Sequence, residues 1–271
     1  MGIRMGLDIG GSTTKVVTYQ NGLVGDFQLV QADDPVASAY GAVGKYLDQS
    51  KQTPDTIDQI MVTGVGASYL GGDILGRKTM PISEFNAVGL GGLYLAKEKS
   101  AIVVSLGTGT SFVDVHEGKV THLIGSGVGG GTLLGLSESM LKIHDFDSFE
   151  SLLENGKIEN VDLTVGDLSQ KEIPGLPMDT TASNFGKLNE LATQEDLAVG
   201  IVNLVFQSVG TAAILCARQK KRETVIFTGN LTRIKFGQQV LSGFAKLYGI
   251  KMIVPEHSEF ATAVGAVLMG E

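Results

Sequence analysis

Four short segments of this chain carry residue types whose spacing suits the handling of a phosphate. In the first, Asp8-Ile9-Gly10-Gly11-Ser12-Thr13-Thr14-Lys15, an acid closes an apolar run that reads as a buried strand. A carboxylate there is costly to desolvate, and a Mg²⁺ ion or its bound water would justify the placement. Gly10 and Gly11 let the backbone approach a phosphate, and Ser12 and Thr13 offer hydroxyl and amide donors. Lys15 follows Thr13 by two positions, shares its strand face, and could meet a terminal phosphate. The same residues also suit a tight hairpin with a surface lysine. The second segment, Leu106-Gly107-Thr108-Gly109-Thr110-Ser111, again runs from a buried strand into a glycine turn with hydroxyls. Two such turns facing each other could clamp a polyphosphate. In the third, residues 127–131 are glycine apart from Val128 and lead into a predicted helix over 132–141. That is either a flexible connector or a set of free N–H groups at a helix N-terminus, which favours an anion. The fourth, Pro81-Ile82-Ser83-Glu84-Phe85-Asn86, sets Glu84 just before another predicted helix. Glu84 is either an acid complementing the helix dipole or the carboxylate that orients and deprotonates a substrate hydroxyl in phosphoryl transfer. Asp73 and Asp114 are weaker rivals for that role.

Other chemistries are poorly served. No G-x-x-x-x-G-K-S/T occurs. The G-x-G-x-x-G spacing from Gly125 to Gly130 sits in so glycine-rich a stretch that it is a weak dinucleotide fingerprint, and no acid follows in a clear strand-end context. His116, His122, His144 and His257 lack metal-ligand spacing, so no zinc site is expected. The single cysteine, Cys216, cannot form an intramolecular disulfide and lies in an apolar run that predicts a buried thiol.

Strands and helices must position these segments, and the apolar pattern supplies them. Strands are predicted at 3–8, 13–20 and 23–31, with Asn21-Gly22 as a hairpin turn. A helix over 34–50 starts at Pro35, a buried strand covers 59–63, and a helix covers 86–97. Strands follow at 101–105, 111–115 and 120–124. The strand–glycine turn–strand unit therefore occurs twice, near residues 10 and 107. This implies two lobes of related α/β topology, 1–98 and 99–271, with no long linker. Residues 145–179, polar and carrying Pro174 and Pro177, read as an irregular insertion near the cleft. The stretch 196–218 reads as a long apolar helix for a core or an interface. Strands at 223–228 and 251–254 then alternate with helices at 236–247 and 261–269.

The bulk numbers agree with such a fold. A chain of 271 residues accommodates two lobes, and 43% hydrophobic with 18% charged residues argues against disorder. A net charge of −8 counts against a nucleic-acid partner, though not against nucleotides held by amides and a metal. No signal peptide is expected, because the N-terminus moves directly into a strand. The best candidate for a membrane span, 197–217, is interrupted by Asn203 and Gln207, so a cytoplasmic protein with no membrane partner is expected.

Two phosphate turns in duplicated lobes resemble the superfamily of actin, hexokinase and the heat-shock chaperone ATPases: a two-lobed, ribonuclease-H-like α/β fold with nucleotide in the interlobe cleft. Within it the chain is similar, over nearly its whole length, to type II pantothenate kinases. The resemblance runs through the Asp8 to Lys15 segment, Ser83-Glu84-Phe85, the turn from Gly107 to Ser111, and Gly129-Gly130-Gly131. It continues through Thr181-Ala182-Ser183-Asn184-Phe185-Gly186, which general sugar kinases lack, then Gly229-Asn230 and the tail from Pro255 to Ala266. It implies that ATP and Mg²⁺ bind at Asp8, Ile9, Gly10, Gly11, Ser12, Thr13, Thr14, Lys15, Thr108, Gly130, Gly131, Thr132, Leu133 and Leu134, with Asp8 beside the metal and Phe146 and Asn230 nearer the nucleoside. It implies Glu84 as the catalytic base, Thr110 and Ser111 facing pantothenate, and a homodimer built on the apolar helix. The implied product is 4′-phosphopantothenate, the first step of coenzyme A synthesis. His122 stands where the family commonly places an arginine on the pantothenate carboxylate, and a neutral imidazole donates one hydrogen bond, not a bidentate pair. A sugar kinase or a non-kinase ATPase of the same fold are the alternatives. The lone cysteine counts against the cysteine-rich zinc site of the first and the iron–sulfur cluster held by the second.

Overall fold

The computed structural model describes residues 2–11, 13–31 and 34–270, so Ser12 lies outside the described residues. Alternating apolar residues build a first meander of β1 (Ile3–Ile9), β2 (Thr13–Gln20) and β3 (Leu23–Gln31). Helix α1 (Pro35–Ser50) begins where the Asp34 carboxylate accepts the Ala37 N–H at 2.6 Å, with Pro35 supplying a ready φ for the first turn. Strands β4 (Ile57–Thr63) and β5 (Thr79–Pro81) then add in parallel on the far side of β1, giving the order β3-β2-β1-β4-β5. Helix α2 (Glu84–Ala96) follows.

The second half continues with β6 (Ala101–Leu106), β7 (Thr110–His116), β8 (Lys119–Ser126), α3 (Gly130–Leu141) and α4 (Phe146–Leu152). Next come β9 (Leu163–Thr164), α5 (Val165–Leu168), β10 (Thr181–Ser183) and the long α6 (Gln194–Lys220). The chain ends with β11 (Thr224–Thr228), α7 (Lys235–Tyr248), β12 (Lys251–Ile253) and α8 (Ala261–Leu268). Its large sheet has the order β12-β11-β6-β7-β8. Strand for strand and sense for sense, β6, β7, β8, β11 and β12 repeat β1 to β5. The repeat holds at the level of single residues. Asp8 pairs with Lys15 and Thr63, and at the corresponding points Ser105 pairs with Ser111 and Thr228.

The two halves exchange helices. Helix α8, last in the chain, covers the first sheet, burying Ala263, Val264 and Val267 with Val17 and Met61. Helix α2 instead covers the second sheet, burying Val88 with Val103, Val113 and Val115. A cut between residues 98 and 99 therefore separates each sheet from the helix that covers one of its two faces, while α1 and α6 cover the other faces from within their own halves. The two helices cross through Ala87–Gly91 on one and Ala261–Gly265 on the other. A Cβ on Gly91 would collide with the Ala261 carbonyl, and a Cβ on Gly265 with the Ala87 carbonyl.

The insertion is more ordered than its composition suggests, because α4, β9, α5 and β10 all lie between Asp145 and Asn184. Buried Asp162 organises it. Its carboxylate accepts from Asn184 Nδ2 at 3.0 Å, the Phe185 N–H at 2.8 Å and Asn203 Nδ2 at 2.6 Å. The segment from Thr181 to Gly186 is thereby clasped to α6. By length and composition α6 is apolar enough to cross a membrane, despite Asn203 and Gln207, yet 67% of its most apolar window is buried inside the fold. Cys216 is buried on it, and desolvation pushes its thiol pKa up.

The crossing gives a stability prediction. Gly91→Ala should lower stability by about 3 kcal/mol, since the backbone carbonyl it meets cannot rotate away. Gly41→Ala on α1, where a Cβ meets nothing within 4 Å, should instead add roughly 0.5–1 kcal/mol. Urea denaturation of the two variants checks both signs.

Candidate active site

The first turn closes when the Gly10 N–H donates to the Thr13 carbonyl at 2.9 Å. Gly11 is exposed and has nothing within 4 Å of where a Cβ would be, so the turn opens outward there. Ile9 is buried in the core beneath α1. Thr14 faces that same side and accepts from Ser38 Oγ at 2.8 Å, fastening α1 to the sheet. Asp8 and Lys15 point to the opposite face, where α8 lies. Lys15 Nζ stands 3.5 Å from Asp8 Oδ2, with the two side chains 9% and 14% exposed. Gly64, at φ 87°, ends β4 beside them, and a Cβ there would sit 2.7 Å from Asp8 Oδ1.

Glu84 opens α2 next to this pair. The Glu84 side chain is exposed in the single chain, yet partial desolvation by its surroundings, then the nearby Asp8 charge, moves its carboxyl above the ordinary 4.5. Its neighbour Phe85 stacks on His122 of β8, with ring centroids 4.0 Å apart and planes 20° apart. The start of α2 thus sets Glu84 beside Asp8 of the first sheet and Phe85 against His122 of the second. The rivals for Glu84 are engaged elsewhere. Asp114 takes a bidentate pair from Arg222 at 2.7 and 3.1 Å, and Asp73 accepts the Thr79 N–H at 2.9 Å.

The second turn is built differently from the sequence expectation. The Gly130 N–H donates to the Gly107 carbonyl and the Gly131 N–H to the Thr108 carbonyl, both at 2.8 Å. The Thr132 hydroxyl donates to the Gly127 carbonyl at 2.9 Å and accepts the Gly129 N–H at 3.2 Å. Those glycine amides are therefore engaged, not free, and they staple the start of α3 to the turn. Gly107 and Thr108 are exposed at its rim. Thr110 is buried, its hydroxyl donating to the Val128 carbonyl at 2.7 Å. Ser111 is half-buried at the place corresponding to Lys15. Leu133 is sealed in the second core, Phe146 packs against it, and Leu134 is exposed.

Asn230 follows Gly229, which sits at φ 93°. Among the described residues, three buried side-chain atoms have no hydrogen-bond partner: Gln28 Oε1 on β3, and Asn230 Oδ1 and Thr63 Oγ1 at the two glycine ends. Leaving such a group unpaired costs about 1–3 kcal/mol, so Asn230 Oδ1 and Thr63 Oγ1 suit a ligand that supplies the partner. Neither Thr63 nor Phe85 stood out in the sequence as a site residue. The recurring Thr-Gly pair at the ends of β4 and β11 was the available signal. Among the described residues no three His, Cys, Asp or Glu gather around a metal position. That fits Mg²⁺, which takes one or two carboxylates and otherwise keeps water and phosphate oxygens.

This geometry is that of a two-lobed actin-like ATPase fold. Over 98% of the chain it superposes, at a TM-score of 0.70 and 20% identity, on the activator of 2-hydroxyisocaproyl-CoA dehydratase from Clostridium difficile with bound ADPNP, covering 93% of that protein. A ROK family glucokinase from Streptomyces griseus, in complex with glucose and AMPPNP, matches 99% of each chain at a TM-score of 0.62 and 12% identity. The profile of the Fumble family matches residues 96–269, and the chain belongs to that family. A type II pantothenate kinase of Bacillus cereus is 27% identical over 97% of both chains. Another, of Staphylococcus haemolyticus, is 27% identical over 98% of this chain and 100% of its own.

The raised Glu84 carboxyl has a consequence for stability. Partial desolvation and the Asp8 charge favour its protonated form in the fold, so a small stabilising contribution, reduced by the solvent that reaches this exposed side chain, is full below the ordinary 4.5 and is lost as pH rises through the raised folded value. Glu84→Gln stays neutral throughout. It should melt above the wild type at neutral pH, with the gap closing on acidification. A gap independent of pH would contradict the placement of this group.

Proposed function

We propose that this protein is a pantothenate kinase, transferring the γ-phosphoryl group of ATP to the 4′-hydroxyl of pantothenate. The observation that carries the reading is Glu84: an acid with raised pKa, at the first turn of a helix, beside Asp8 and across from His122. The Fumble membership and the type II pantothenate kinases among its relatives support pantothenate as the substrate. Neighbours of the same fold carry ADPNP and AMPPNP in their structures, which supports ATP as donor.

Glu84 accepts the proton of the substrate hydroxyl as its oxygen bonds to the γ-phosphorus. The bond from that phosphorus to the β–γ bridging oxygen breaks, and ADP leaves. Lys15 meets negative charge on the phosphates, and the open turn at Gly10 and Gly11 lets them come close to the backbone. A Mg²⁺ ion held at Asp8 would neutralise phosphate charge. Asn230 Oδ1 accepts from the nucleoside. Ser111 and His122 face pantothenate, with His122 donating one hydrogen bond to its carboxylate and kept in orientation by Phe85. Thr110 shapes that wall from behind, since its hydroxyl is already engaged. The enzyme acts in the cytoplasm as a homodimer joined along α6, on whose exposed side Leu215 stands uncovered in the single chain.

Coupled ADP release tests this directly. Release should depend on pantothenate and not on glucose, and Glu84→Gln should lower turnover by roughly 10²–10⁴-fold while retaining nucleotide binding. Near-normal turnover in that variant would remove Glu84 from the chemistry. Release driven by glucose alone would move the substrate to the sugars.

A further inference from the structure

The duplication supplies an internal comparison for Thr63. Thr63 and Thr228 hold corresponding places, each the last residue of its strand, each followed by a glycine at positive φ. Each glycine lies against the end of the neighbouring strand, Gly64 on the Ile9 carbonyl and Gly229 on the Leu106 carbonyl. The hydroxyls behave differently. Thr228 Oγ1 donates to the Val104 carbonyl at 3.2 Å. Thr63 Oγ1 has no partner among the described residues although the side chain is 1% exposed. The fold therefore has a way to satisfy a threonine at this point and does not use it in the first lobe.

What differs is the company. Thr228 pairs in register with neutral Ser105, whereas Thr63 pairs with Asp8, and partners in register share a face. The two carboxylate oxygens of Asp8 are divided. Oδ2 turns to Lys15, and Oδ1 turns to Gly64, next to Thr63. No direct bond joins Thr63 to Asp8 among the described residues, and polar groups kept apart in this way are commonly bridged by water. Mg²⁺ bound through one carboxylate keeps several of its waters.

We infer that Thr63 is a positioning residue of the nucleotide site: its hydroxyl and Asp8 Oδ1 together hold one water of the hydrated divalent cation that accompanies ATP. This rests on the kinase reading above. It separates the two lobes chemically, since the second lobe keeps the same threonine for its own backbone.

The test is calorimetric titration of wild type, Thr63→Val and Thr63→Ser with ATP, once with Mg²⁺ and once with EDTA, alongside melting curves of the ligand-free proteins. Thr63→Val should bind Mg-ATP roughly tenfold more weakly and bind ATP in EDTA as the wild type does. Thr63→Ser should restore the affinity. Ligand-free Thr63→Val should melt at or above the wild type, because a methyl replaces a buried hydroxyl that lacks a partner. Thr228→Val should melt below it, having lost a bond. Wild-type affinity for Mg-ATP in Thr63→Val overturns this inference and leaves the kinase reading standing. A marked fall in its melting temperature also overturns it, by showing that the hydroxyl serves the fold. A wild type that binds no Mg-ATP overturns both.

Discussion

The crossing of α2 over α8 is the contact on which the rest depends. Two Ala-x-x-x-Gly stretches face each other, and the missing side chains at Gly91 and Gly265 let each helix reach the other's backbone. Each helix covers the sheet of the opposite half, so the crossing joins both cores at once. It also sets the start of α2. Because Phe85 is held by its stack on His122, Glu84 is delivered beside Asp8 by a rigid helix end, not by a loop. Groups on rigid elements keep the geometry that proton transfer requires.

The two halves share a topology but divide the chemistry. Where the first lobe places Asp8 and Lys15, the second places Ser105 and Ser111. The charged pair thus belongs to the first sheet, and Glu84 joins it from the start of α2. The second sheet offers a glycine turn stapled to α3 by the Gly130 and Gly131 amides, which makes it stiff.

Much of this was legible in the residues. The alternation in the first thirty-one residues, Asp34-Pro35, and the two glycine turns fixed the meander, the helix start and the duplication. Glu84 stood out as a candidate because few other acids sit at an apolar-flanked loop end. Three things were hidden. β5 is three residues long, too short for any period to show. The helix exchange is a long-range event, visible only once Gly91 and Gly265 are seen to meet. The hydrogen bonds of Thr14, Thr110, Gly130 and Gly131 depend on which side of a strand or turn each group faces. A motif gives residue types in order and leaves those directions open. The ordering of residues 145–179 was missed for a related reason: its organiser, Asp162, works through Asn203 on a distant helix.

In the proposed reaction Glu84 deprotonates a hydroxyl of a small acid while ATP gives up its γ-phosphoryl group. Mass spectrometry of pantothenate after incubation with the protein, Mg²⁺ and γ-¹⁸O-labelled ATP addresses that in one step. The expected result is a pantothenate product carrying one labelled phosphoryl group, formed in proportion to ADP. Unchanged pantothenate accompanied by labelled inorganic phosphate would contradict it.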